Sequence, residues 1–260
     1  MEAPPLLEIR AVTRSFYGVH ALNGVDLAIA RGRITGLIGP NGAGKTTLFN
    51  CISGTIPPDS GQILFRGKNI AGWRPDRITR SGLIRTFQIP RLCPRLTVRE
   101  NLLLYGPAQP GERIAAALLR TPPVRSREAE LSARAESIAR RLDLLPVLDN
   151  KAAALSGGQK KLLEIARALM SEPKLILLDE PIAGVNPTLA RTVGDRLRDI
   201  AAAGVTLLLI EHQMDEVARL CDHVIVMAEG RRLTEGTFEQ VAADHAVQTA
   251  YMGTRPACPS

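Results

Sequence analysis

The stretch Gly39-Pro40-Asn41-Gly42-Ala43-Gly44-Lys45-Thr46 decides how this chain folds. It fits G-x-x-x-x-G-K-[ST] at every defined position and follows the apolar run Ile34-Thr35-Gly36-Leu37-Ile38. A buried strand running into a glycine-rich loop, with a helix that starts near Lys45 and continues over Thr47–Ser53, makes a phosphate cradle. The glycines let the backbone curl so that successive amide N–H groups point inward. The helix start adds a fractional positive charge of about half a unit. Lys45 is placed to bridge the β- and γ-phosphates of a nucleotide, and the Thr46 hydroxyl to ligate Mg²⁺. Gly39, Asn41, Gly42, Gly44, Lys45, Thr46 and Thr47 are therefore the candidate nucleotide-binding residues.

Further along, Leu175-Ile176-Leu177-Leu178-Asp179-Glu180 reads as a buried strand with two carboxylates emerging at its end, where α/β sheets place ligands. Asp179 is the candidate Mg²⁺ partner, acting through water or from just outside the ion's own ligands. Glu180 is the candidate general base, orienting a water for in-line attack on phosphorus. Between the two motifs lies Leu155-Ser156-Gly157-Gly158-Gln159, directly before an amphipathic helix. The apolar face of that helix is Leu162, Ile165, Ala166, Leu169 and Met170, while Lys160, Lys161, Glu164 and Arg167 are expected to point elsewhere. Ser156 suits an N-cap, and a glycine-lined helix start also suits a second phosphate.

Around these motifs, apolar runs at 6–12, 25–29, 62–65, 205–210 and 223–227 read as strands alternating with helical patterns, hence an α/β sheet domain. The chain from about 96 to 170 is largely helical in pattern. The division expected is one domain over 1–260, with a core at 1–92 and 172–254, a helical subdomain at 93–171 and a loose tail at 255–260. The 260 residues, 45% hydrophobic and 23% charged, exclude a disordered or fibrous chain. The net charge of +7 suits a phosphate-bearing partner without choosing one. The start Met1-Glu2-Ala3-Pro4-Pro5 has neither a basic opening nor an apolar run, so no signal peptide is expected. The most apolar stretch, 200–210, falls short of the roughly 18 residues of a membrane span. Cys51, Cys93, Cys221 and Cys258 are scattered without metal-ligand spacing and read as reduced thiols of a cytosolic protein.

The three motifs, in this order, resemble the ATP-binding cassette ATPases of ABC transporters. The resemblance implies a P-loop NTPase (RecA-like) α/β core with an N-terminal antiparallel β region and an inserted helical subdomain. It implies ATP and Mg²⁺ as ligands and ATP hydrolysis coupled to transport. By motif, Phe16 looks like the aromatic that stacks on adenine, with Tyr17 the other choice. Gln88, in Thr86-Phe87-Gln88, looks like the glutamine that senses Mg²⁺ and faces the membrane partner. His212, in Ile210-Glu211-His212, looks like the histidine that contacts the γ-phosphate. Ser156 and Gly158 would bind the γ-phosphate held by a neighbouring subunit, so the site implies a head-to-tail dimer with a second copy or a related chain.

Asn186, standing where most cassettes carry Asp, and the terminal Ala250-Tyr251-Met252-Gly253 are similar to the ATPases of branched-chain amino acid importers. The segment 105–134 resembles the larger of that system's two ATPases. The implied partners are membrane permeases and, indirectly, an external solute-binding protein. The implied place is the cytoplasmic face of the membrane. An ATPase of a lipopolysaccharide-type exporter is the nearer alternative. A cassette acting on DNA or ribosomes is the more distant one, and no nucleic-acid partner is expected.

Overall fold

The structure, a computed structural model, describes residues 4–86, 92–107 and 122–252. They separate into two compact units, the first within 1–85, 174–180 and 197–260, the second within 86–173 and 181–196. In the first unit, β1 (Leu7–Phe16), β2 (Val19–Ile29), β4 (Ser60–Phe65) and β5 (Lys68–Asn69) form an antiparallel sheet ordered β2-β1-β4-β5. A second sheet joins β3 (Ile34–Ile38), β6 (Leu83–Arg85), β7 (Leu175–Asp179), β8 (Thr206–Ile210), β9 (His223–Ala228) and β10 (Arg231–Gly236) in the order β10-β9-β3-β8-β7-β6. Its pairings are parallel except that of β10 with β9.

Every residue of β3 and β8 is buried, as befits parallel strands covered on both faces. Helix α1 (Lys45–Ile52) welds the sheets together. Its Leu48, Phe49 and Ile52 share one apolar cluster with Ile9 and Leu22 of the antiparallel sheet and Leu37 and Leu208 of the parallel one. Each such buried side chain contributes about 1.5–3 kcal/mol. Helix α2 (Pro75–Arg80) leads into β6. A separate cluster packs Val217 of α7 (Met214–Leu220), Val241 of α8 (Phe238–Ala243) and Val247 of α9 (His245–Met252) on Ile38, Val224 and Val226.

Several strands run differently from the sequence expectation: β2 begins at Val19 rather than at 25, β5 falls in no expected apolar run, and β1, β10 and β6 differ as follows. Strand β1 continues past Val12 to Phe16, because a bulge at Ala11 (φ 47°), whose N–H donates to Asp26 Oδ1 at 2.9 Å, resets the register. Beyond it, polar pairs replace apolar ones: Thr13 meets the Ser60 hydroxyl at 2.7 Å and Arg14 meets Asp59 at 2.7 Å. Strand β10 is an edge strand of charged composition, which hides it from a search for apolar runs. Strand β6 is three residues long and ends in an arginine.

The second unit is helical. Its α3 (Val98–Leu103), α4 (Pro122–Arg141) and α5 (Gly157–Met170) pack on one another, and α6 (Pro187–Ala202) begins there and finishes in the first unit. Leu162, Ile165, Ala166, Leu169 and Met170 are buried on α5 as the periodicity requires, but Arg167 is buried too, at 5% exposure. This corrects the expectation that Arg167 points away. Its planar guanidinium lies 4.0 Å from the centre of the Tyr105 ring, so a flat cation covers an aromatic face. Residues 108–121, within the long segment at 105–134, and the tail at 255–260 lie outside the described residues.

Cys51, Cys93 and Cys221 are free thiols. Burial pushes Cys51 up to about 11 and Cys221 up to about 12, the latter helped by Asp222 and Glu211. The thiolate is the reactive form, so iodoacetamide at pH 8 is expected to label both at least ~100-fold more slowly than an unburied thiol. Peptide mapping before and after denaturant checks this; equal labelling rates would contradict the packing of α1 and α7.

Candidate functional site

The phosphate loop is the turn between β3 and α1, and its glycines are required by space. A Cβ at Gly39 would lie 2.1 Å from the Met227 carbonyl oxygen, and one at Gly44 would lie 2.4 Å from that of Ala21. Gly44, at φ 98°, is also the N-cap of α1, and no side chain caps the helix. The first-turn amides of Lys45, Thr46 and Thr47 are thus left to an outside acceptor, and an anion fits them. Lys45 is 6% exposed, and its Nζ donates to the carbonyls of Gly39 (2.7 Å) and Pro40 (2.9 Å). Burial holds its pKa below the usual lysine range, while the charges of Glu180 and Asp179 oppose that shift. The ammonium is held over the loop by two neutral carbonyls, which phosphate oxygens can replace.

Strands β7, β8 and β3 are neighbours and parallel, so their C-terminal ends come out along one edge. Asp179 pairs in register with Ile210, which sets Glu180 and His212 just beyond the two strand ends. The Glu180 N–H donates to the Ile210 carbonyl at 3.0 Å, and Glu180 Oε1 lies 3.1 Å from His212 Nε2. Glu180 adopts φ 49°, a left-handed conformation that costs a side-chain-bearing residue about 1 kcal/mol. The loop, Glu180 and His212 enclose a cavity of about 410 Å³, lined by Ala21, Asn41, Gly42, Gly44, Lys45 and Thr46 together with Ala43, Thr47, Ile210 and both of those residues. That size lies within the range of small-molecule sites.

Asp179 faces a partner that the sequence reading did not supply. Arg85 Nη2 lies 3.1 Å from Asp179 Oδ2, and Arg85 Nη1 donates to Asn50 Oδ1 on α1 at 2.5 Å. Arg85 follows Leu83 and Ile84 in a short apolar run, and only its position beside β7 in the sheet reveals the pairing. The donor chemistry suits Mg²⁺ on a nucleotide. No group of three or more His, Cys, Asp or Glu that could cage a metal occurs among the described residues. An ion here would take the Thr46 hydroxyl, Asp179 and otherwise phosphate and water oxygens, the habit of Mg²⁺.

Other expected site residues stand elsewhere. Phe16 is half-buried with Arg14 4.9 Å above its ring, Tyr17 is fully exposed, and neither lines the cavity. Gln88 lies outside the described residues. In the second unit, Ser156 caps α5 in a reciprocal pair: Gln159 N–H donates to Ser156 Oγ (3.3 Å) and Ser156 N–H to Gln159 Oε1 (3.0 Å). Ser156 and Gly157 are exposed, whereas a Cβ at Gly158 would collide with Leu189 at 1.8 Å. Asn186 is occupied locally, accepting from the Leu189 N–H at 2.9 Å to start α6.

A strand–loop–helix cradle holding its own lysine, with paired carboxylates from the next strand but one, defines a nucleotide-binding ATPase of the P-loop class. Residues 22–183 match the family described as ABC transporter. The chain is 41% identical over 250 residues to the probable branched-chain amino acid transport ATP-binding protein of Archaeoglobus fulgidus, covering 96% of each. It is 38% identical to the high-affinity branched-chain amino acid transport ATP-binding protein of Pseudomonas aeruginosa, over 96% of this chain and 98% of that one. Among solved structures, the ADP conformation of the cassette MJ1267 of an ABC transporter superposes with a TM-score of 0.84 at 39% identity, over 97% of this chain and all of that one. The dimeric post-hydrolysis cassette MJ0796, bound to ADP and Pi, gives 0.72 at 25% identity over 89% of this chain and 98% of that one. The chain belongs to the ABC transporter family, as an ATP-hydrolysing subunit.

Proposed function

We propose that this chain powers the import of branched-chain, hydrophobic amino acids, working on permease subunits at the inner face of a membrane. The full-length likeness to branched-chain amino acid transport proteins from an archaeon and a bacterium carries the reading. No helix among the described residues is long and apolar enough to cross a membrane.

The residues divide the work as follows. The open amides at the start of α1 and the Lys45 ammonium bind the phosphates. Lys45 leaves its two carbonyls for oxygens of higher charge, a charge-assisted exchange. Thr46 and Asp179 would hold Mg²⁺, which would neutralise charge on the nucleotide's phosphates. Glu180 accepts a proton from the attacking water as general base, and His212, now 3.1 Å from that carboxylate, turns to the γ-phosphate. Phe16 or Tyr17 supports the adenine. The exposed Ser156–Gly157 tip of α5 from a second subunit closes the site, with Gly158 letting the helix start pack close. Gln88 carries the state of the site to the permeases, and a solute-binding protein outside the membrane delivers the amino acid.

Deleting the gene for this chain in its own cell is the direct test. Uptake of radiolabelled leucine, isoleucine and valine is expected to fall to background, and affinity-tagged chain to bring down two permeases identifiable by mass. Intact uptake with loss of transport of another solute would replace the substrate. Recovery without any membrane protein would overturn the transport reading.

A further inference from the structure

We propose that Arg85 is a positioning residue for the metal: it locks Asp179 to the phosphate-loop helix so that this carboxylate and Thr46 stay set for one Mg²⁺. The proposal rests on the Mg²⁺ reading given above. Arg85 and Asp179 are nearly buried, at 9% and 12% side-chain exposure. Arg85 pairs in register with Leu177, two residues before Asp179, and its long side chain reaches along the strand to the carboxylate. The same guanidinium plane touches α1 twice, at Asn50 Oδ1 (2.5 Å) and Ser53 Oγ (3.3 Å), and lies 5.8 Å from the centre of the Phe49 ring.

Asn50 stands four residues after Thr46, one turn on along the same face of α1. The chain Asp179–Arg85–Asn50 therefore ties the two metal-binding positions to each other through one rigid fork. Asp179 Oδ2 is engaged by Arg85, and Oδ1 takes no hydrogen bond from the described residues, which leaves it for the ion's shell. A lysine could neutralise Asp179 but could not span it and Asn50 together, because its ammonium is a single point on a flexible stem. Charge alone would work the other way: a resident cation repels Mg²⁺, so a mere countercharge would make the metal bind less tightly.

The test keeps the charge and removes the tether. Arg85→Lys and Asn50→Ala are each placed in a turnover-blocked Glu180→Gln background. Affinity for a fluorescent ATP analogue is then measured in chelator and across a Mg²⁺ titration. Both variants are expected to bind the analogue within about twofold of the parent in chelator, while the Mg²⁺ midpoint rises roughly 10-fold, the usual effect of losing a partner of a metal ligand. Asp179→Asn should raise the midpoint as well, and adding Arg85→Lys to it should change nothing further.

A Mg²⁺ midpoint that stays put or falls in the folded variants overturns the proposal. So does an equal loss with and without metal, which would make Arg85 a support of the fold only. If Arg85→Lys does not fold, Asn50→Ala decides alone. An unchanged midpoint in Asp179→Asn would remove Asp179 from the metal and this proposal with it. A shifted midpoint there beside an unshifted one in both tether variants would remove Arg85 only.

Discussion

Replacing Glu180 by glutamine is expected to lower ATP turnover by roughly 10²–10⁴-fold, the range of a lost general base, while nucleotide affinity changes by no more than a few-fold. The amide has the same shape, so the backbone at φ 49° and the approach of His212 at 3.1 Å are undisturbed. What is lost is the capacity to take a proton from water. A site that binds ATP without consuming it should also hold its second subunit, so the variant is expected to elute as a dimer with Mg²⁺·ATP and as a monomer without it. Steady-state phosphate release and size-exclusion chromatography check the two halves. Turnover at the unsubstituted rate would move the base to another group. A variant that binds Mg²⁺·ATP and stays monomeric beside its permeases would contradict the closure of the site by the α5 tip of a neighbour.

Lys45→Ala has the next largest expected effect, on binding. The ammonium makes two charge-assisted hydrogen bonds to loop carbonyls and would make at least two to phosphate, each worth about 1.5–3 kcal/mol. Loss of about 3 kcal/mol in nucleotide binding corresponds to roughly 150-fold in Kd. The truncation also strands the Gly39 and Pro40 carbonyls, so the nucleotide-free protein should melt at a lower temperature. A fluorescence titration with an ATP analogue in chelator isolates the lysine from the metal. Unchanged affinity there would mean that the amides of α1 alone hold the phosphates.

The elements that carry chemistry were the most legible in the sequence. Strand β3 and the end of β7 are continuous apolar runs, and each is followed by residues whose types are constrained by the site. The cradle of Gly39, Gly44 and Lys45 follows from spacing, because a close-packed turn tolerates few residue types. Ser156 was legible as a cap for the same reason, and its bond to Gln159 is local. What stayed hidden depends on partners distant in sequence. The Arg85–Asp179 pair joins positions 94 residues apart, and Asn50 joins them from a third element. Strand β10 carries no apolar alternation because it lies at the sheet edge and buries none of its side chains. Arg167 was misread because periodicity assigns charge to the solvent face, whereas a guanidinium can lie flat on a ring.

The backbone of Glu180 separates durability from activity at a single position. A residue without a side chain would sit at φ 49° at ease, though it would give up the contact with His212. Selection for heat resistance alone would thus pull that position toward glycine, at the expense of the general base proposed for it. The fold thus includes a small permanent stress in the backbone of the residue proposed to activate water, which the surrounding buried strands are firm enough to bear.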